Sequence, residues 1–215
     1  MNPLLLETAT VALATFFATI GPLDVAAVFA ALTASHSQQR RKQMAIRGAT
    51  IAAAVLLIFA LAGERVLGLL GISLAALRTG GGILLLLIGI EMVFARSSGS
   101  TSTTEEENAE AMGKQDISVF PIATPLIAGP GAMGATVLLI ADTEGDWLLQ
   151  SIVIASLLTM ILITLAMMLL SAQIDRLFGK TGMHVITRIM GVLLSALAVQ
   201  FIFDGIAASG LIIPA

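Results

Sequence analysis

"FPIATPLIAGPGAMGATVLLI", Phe120–Ile140, is apolar enough to lie in a bilayer, yet it carries three prolines and three glycines. Proline has no amide hydrogen and its ring clashes with the preceding helical turn, so a straight helix is excluded. In hydrocarbon, the carbonyls freed by such a break must find partners within the protein or in a water-lined cavity. The stretch therefore predicts a membrane span that is broken rather than absent. Its 23-residue frame, Val119–Ala141, suits one crossing better than a re-entrant hairpin. An earlier stretch repeats the feature: "TIGPLD", Thr19–Asp24, is echoed by "IAGPGA", Ile127–Ala132. Pro22, Pro121, Pro125 and Pro130 all fall in these two regions, while Pro3 and Pro214 lie near the termini.

The chain around these breaks has 215 residues, 57% hydrophobic and 12% charged. Soluble domains carry about 25% charge, so this composition cannot supply a polar exterior. An integral membrane protein follows. Cysteine is absent, which excludes disulfides, thiolate metal sites and thiol catalysis. The net charge of -3 comes mostly from one acidic linker and gives no nucleic-acid signal. The N-terminus lacks the basic region of a cleavable signal peptide and is expected to remain as the first span.

A span needs about 20 largely apolar residues. Apolar runs predict spans over Leu6–Leu32, Met44–Gly63, Ser73–Phe94, Val119–Ala141, Trp147–Gln173 and His184–Ala208. With the N-terminus outside, the inner connections 33–47, 95–118 and 174–188 hold nine of the eleven basic residues. That bias sets both termini outside. Segment 97–116, "SSGSTSTTEEENAEAMGKQD", has a composition that forms no packed core and reads as a flexible cytoplasmic linker. It divides a single membrane domain, 1–215, into repeat one, 1–96, and repeat two, 117–215.

The third spans also match. "LRTGGGILL", Leu77–Leu85, resembles "TRIMGVLLS", Thr187–Ser195, with Arg78 opposite Arg188 and Gly81 opposite Gly191. Three spans per half mean that the second half enters from the opposite side, an inverted-topology repeat of the kind that supports alternating access. The predicted fold is all-α: six transmembrane helices in two inverted three-helix repeats, with the first and fourth spans broken by Gly/Pro. Discontinuous helices in matching positions point to a transporter's binding site.

Candidate solute contacts are Thr19, Gly21, Pro22 and Asp24 at the first break, and Thr124, Pro125, Gly129, Pro130 and Gly131 at the second. Gln200, mid-span, needs a partner for its amide and joins them. A carboxylate inside a span commonly handles ions or substrate, which makes Asp24 the candidate for coupling to a proton or sodium ion. Its position equally suits capping the helix that follows, and the residues leave both roles open. Thr19 and Thr124 also have two readings, solute contact or back-bonding to a helix carbonyl. Arg78 and Arg188 stand at span ends and are expected to snorkel toward water. Gly80, Gly81, Gly82 and Gly191 are expected to admit close helix packing. No metal, nucleotide or nucleophile motif appears, so no cofactor and no enzyme activity are expected.

Three blocks carry a family resemblance: "LGISLAALRTGGGILLLLIG", Leu70–Gly89; "FPIATPLIAGPGAMG", Phe120–Gly134; and "ITRIMGVLLSALAVQFIFDGI", Ile186–Ile206. In this order, with an acidic linker between the first two, the chain resembles the MarC-related integral membrane proteins (UPF0056), also grouped as a neutral amino acid transporter family. The resemblance implies a six-span protein of the bacterial inner membrane, related to exporters of small amino-acid-like solutes. Relatives commonly carry Asn or Asp directly before the first-span proline, where this chain has Gly21. That departure suggests that Asp24 serves from the next turn.

These observations together predict a secondary transporter of a small polar solute, with the bilayer and that solute as partners. The competing readings are a membrane scaffold or assembly protein, and a channel. Oligomeric state is left open.

Overall fold

The computed structural model describes residues 3–33, 36–94 and 116–210. The linker expected over 97–116 lies outside them except for Asp116. Eight helical segments follow in order: α1 Pro3–Ile20, α2 Pro22–Leu32, α3 Gln38–Leu69, α4 Leu74–Phe94, α5 Ser118–Ile127, α6 Pro130–Ala141, α7 Trp147–Leu169 and α8 Ser171–Ala208. The protein is an all-α polytopic membrane protein. Among the described residues, five spans are long and apolar enough to cross a bilayer: Pro3–Leu32, Gln38–Gly63, Leu74–Phe94, Trp147–Leu169 and Arg188–Ala208. The pair α5–α6, bent by 53°, makes a sixth if it crosses as one span.

The ends differ from the apolar runs for local reasons. Ser37 caps α3, accepting from the Arg40 amide at 3.5 Å, so the polar turn "QQRRKQ" is wound into the helix ahead of its apolar part. Asp146 caps α7 through its Oδ1, which accepts from the Leu148 and Leu149 amides at 2.8 and 3.3 Å. Helix α7 stops at Leu169, and α8 starts at Ser171, so the connection expected over 174–188 is helical backbone.

The bundle is assembled by pairings between the two halves of the chain. Helix α4 lies along α8, α1 and α2 pack on α7, and α3 packs on α5, α6 and α7. The two broken spans meet reciprocally, α1 against α6 and α2 against α5. Arg41 ties three elements together: its guanidinium carbon lies 5.9 Å from the Phe29 ring centroid of α2, and its Nη2 donates to Ser171 Oγ at 3.0 Å. Large apolar side chains remain on the outer faces of α3, α4, α7 and α8, Ile58, Leu84, Leu162 and Val192 among them, as a lipid-facing surface requires.

The α4–α8 seam is the closest of these contacts, and glycine makes it so. A Cβ placed on Gly82 would lie 2.8 Å from Ala198 O, and one on Gly191 2.8 Å from Gly89 O. One on Gly205 would lie 2.7 Å from Thr79 N. Thr79 faces Gly205, Gly82 faces Ala198, and Gly89 faces Gly191, so the helices run antiparallel. Of the "GGG" triplet, Gly82 serves this seam, a Cβ on Gly81 would lie 3.1 Å from Leu138 Cδ2 of α6, and Gly80 faces open space. In membranes, where water gives no drive between helices, such backbone proximity supplies the van der Waals attraction that holds them.

Gly191→Ala should destabilise the protein by about 1–3 kcal/mol through overpacking against backbone atoms that cannot yield. Gly80→Ala should be neutral or slightly stabilising. Reversible unfolding in mixed micelles measures both.

Candidate functional site

The first break arises because Pro22 has no amide hydrogen to offer the end of α1. The Gly21 amide makes the last bond of α1, to Phe17 O at 3.0 Å, and the chain then turns through φ 61, ψ 62 at Gly21. This left-handed conformation is open to glycine at little cost. Helix α2 restarts from Gly21 O, which accepts from Val25 N at 2.9 Å. Pro22 occupies the first helical position, where its missing amide costs nothing.

Asp24 sits in the first turn of α2, where a negative charge is favoured by the helix dipole. Its carboxylate folds back over the turn: a Cβ built on Gly21 would lie 3.2 Å from Asp24 Oδ2. Gly21, having no side chain, makes no side-chain cap of its own, and its amide bonds to Phe17 O. Asp24 and Gly21 are both half-buried. With Phe17, Pro22, Leu23, Met92 and Met190 they line a half-open cleft whose free volume is only about 10 Å³. That is about the room one water molecule needs, so the cleft would have to widen to admit a solute.

The second break has the same chemistry in a different conformation. Phe120 and Thr124 adopt extended dihedrals before Pro121 and Pro125, as the steric demand of a following proline favours. Between them the backbone makes wide-turn bonds, Ile122 N to Ile117 O at 3.2 Å and Ala128 N to Ala123 O at 2.9 Å. Gly129 caps α6 in an extended conformation, φ -81 and ψ 171, and Pro130 again takes the first helical position. Gly129 and Gly131 are buried, Thr124 and Pro125 half-buried, and Pro130 exposed.

Gly21, Pro22 and Asp24 are thus brought together in the cleft, whereas Thr124, Pro125, Gly129, Pro130, Gly131 and Gln200 are not among the residues lining it. The Thr19 hydroxyl is buried and donates to Thr15 O at 2.8 Å, the back-bonded arrangement. Thr124 Oγ1 reaches Val119 O at 3.4 Å. Gln200 is exposed on α8 and donates from Nε2 to Asp204 Oδ1 at 2.8 Å. Phe17, Leu23, Met92 and Met190 carry no motif that marks them as lining residues. Thr15 Oγ1, on α1 ahead of the break, is buried without a hydrogen-bond partner.

The Arg78 head group meets acids at the end of its span. Its side chain is only 14% exposed, and its Nε lies 2.6 Å from Asp142 Oδ1. The acid that holds it lies in the connection after α6, a partner that spacing along the chain does not reveal. Arg188 is exposed. At the start of α5, Asp116 Oδ2 meets Arg47 Nη1 at 2.6 Å, and its Oδ1 accepts from the Ser118 amide at 2.9 Å. The neighbouring Ser118 hydroxyl, then the Ser118 amide, and least of all the Arg47 charge hold the Asp116 carboxyl below its ordinary 3.8, against the opposing effect of desolvation. No cluster of three metal-ligating His, Cys, Asp or Glu side chains occurs among the described residues.

The family profile described as MarC family integral membrane protein matches residues 6–209. A UPF0056 membrane protein of Methanocaldococcus jannaschii is 37% identical over 197 residues, covering 91% of this chain and 94% of its own. One from Archaeoglobus fulgidus is 33% identical over 90% of this chain and 89% of its own. The UPF0056 membrane protein YvbG of Bacillus subtilis is 33% identical over 88% of this chain and 90% of its own. No solved structure matches the chain.

Gly21→Ala forces a side chain into the left-handed region and toward Asp24, and should destabilise by about 1–2 kcal/mol. Gly129→Ala meets no such backbone penalty at φ -81 and is the comparison variant in a micelle unfolding assay. Because the folded Asp116 pKa is lowered, its contribution is fully present well above pH 3.8 and fades as pH falls through the lowered value. Unfolding midpoints scanned downward through that range should lose this component in Asp116→Asn.

Proposed function

The chain belongs to the MarC family of integral membrane proteins, and from that membership and the cleft at the first break we propose that it is a secondary transporter of a small polar solute. As a member of this family it is a membrane protein and not an enzyme. The solute class we favour is a neutral amino acid, admitted when the cleft widens. Its ammonium group would meet the Asp24 carboxylate, and its carboxylate would meet the amides opening α2, where a helix N-terminus favours anions. Met92 and Met190 supply a soft, adaptable apolar wall for a small side chain.

Alternating access by two inverted repeats is the mechanism we favour. Reciprocal packing supports it: α1 on α7 corresponds to α5 on α3, α2 on α7 to α6 on α3, and α1 on α6 to α5 on α2. The antiparallel α4–α8 seam fits the same pseudo-two-fold relation. The second break then serves as a hinge, because its residues lie outside the cleft while its two arms already differ in direction by 53°. A proton or sodium gradient would drive the cycle, with Asp24 as the coupling group. We place the protein in a bacterial inner membrane with both termini outside, following the distribution of basic residues.

The carrying observation is a half-buried carboxylate in a small cleft at a helix break within a span. Purified protein in liposomes should give saturable uptake of at least one labelled neutral amino acid, enhanced by a proton or sodium gradient. Asp24→Asn should abolish the gradient dependence. Correctly inserted protein that gives no saturable flux for any solute would favour the scaffold reading instead.

A further inference from the structure

Two arginines from the first half of the chain hold the two ends of the bent fourth span. Arg47 of α3 pairs with Asp116 just before α5, and Arg78 of α4 pairs with Asp142 just after α6. The two contacts differ in kind. The Arg47 and Asp116 side chains are 63% and 47% exposed, so water screens their attraction. Arg78 is largely buried, with Nε 2.6 Å and Nη2 2.5 Å from Asp142 Oδ1, and its Nη2 lies 3.6 Å from Glu144 Oε1.

Asp142 and Glu144 lie at the carbonyl end of α6, where the helix dipole disfavours negative charge. Arg78 compensates both. The turn that presents the second acid is itself unusual: Glu144 has φ 51, the only positive φ at a non-glycine among the described residues, and Gly145 follows at φ 86. Such a conformation persists where its surroundings fix it, and observed strain of this kind points to a working element. The cleft lies elsewhere along the same helix. Met92 is fourteen residues past Arg78 on α4, or roughly 21 Å along the axis.

We infer that Arg78, Asp142 and Glu144 form a latch that closes the membrane face opposite the cleft and must part before that face opens. The inference rests on the transporter reading, since a protein that never opens needs no latch. Opening that face means separating the end of α6 from α4, where Gly81 abuts Leu138 just inside the ion pairs. The Gly129–Pro130 bend provides the hinge for this movement. The acids are exposed, Asp142 42% and Glu144 74%, but Arg78 is only 14% exposed, so parting them leaves a largely buried guanidinium unpaired until water reaches it.

The absence of cysteine permits a direct test. Thr136 is fully buried on α6, between the hinge and Asp142, and Thr136→Cys provides a reporter. In oriented vesicles, a membrane-impermeant maleimide added on the Arg78 side should label it slowly. Arg78→Gln and Asp142→Asn should each speed labelling about tenfold, the scale of a typical coupling between two states. Arg78→Asp combined with Asp142→Arg should restore slow labelling. If Arg78→Gln does not fold, Asp142→Asn carries the comparison. Unchanged labelling in a folded single variant, or faster labelling that the charge reversal fails to slow, overturns the latch. Labelling requires no flux, so a protein that labels as expected but carries no solute keeps the latch and loses the transport reading.

Discussion

A proline inside a bilayer leaves a carbonyl without its donor, and hydrocarbon offers no water to replace it. This constraint organises the molecule. At Pro22 it is met by ending one helix at Ile20, turning through glycine and restarting. At Pro121, Pro125 and Pro130 it is met by wide-turn hydrogen bonds, extended residues and a second restart. Each solution leaves a helix N-terminus within the protein, so the two broken spans are where the backbone departs from regular helix. Their arms pack reciprocally on one another and on α7 and α3, where backbone left exposed to lipid would be untenable.

The α4–α8 seam does the opposite job. Gly82, Gly89, Gly191 and Gly205 let two backbones approach so closely that even a methyl group collides with the partner chain. Close packing of this kind resists shear, whereas the bent α5–α6 pair has a direction change already built in. The protein therefore combines a tight seam with two interrupted spans. Asp24 lies where they meet, since the cleft takes Met92 from α4 and Met190 from α8 as well as the turn at Gly21.

The positions of both breaks were legible in the sequence because they depend on Gly–Pro chemistry, which is local. The span series was legible from apolar runs for the same reason. Helix ends were less so: Ser37 and Asp146 caps and the short interruption at Leu170 shift boundaries that hydropathy averages over. The candidate site was legible only in part. Gly21, Pro22 and Asp24 fall in one turn and stay together, but Thr124 and Gln200 find partners on their own helices. Met92 and Met190 look like ordinary apolar filling until the antiparallel seam brings their ends of α4 and α8 to the first break. Arg78 illustrates the same limit, because its partner Asp142 is 64 positions away.

The central claim is that the cleft at the first break holds the solute. Leu23 lines that cleft and is largely buried, so Leu23→Cys places the protein's single thiol inside it. Alkylation of this thiol, measured against increasing concentrations of a transported neutral amino acid, should slow in a saturable manner, and Asp24→Asn should remove the protection. Alkylation that stays indifferent to a solute the same protein demonstrably carries would place the binding site elsewhere and contradict the account.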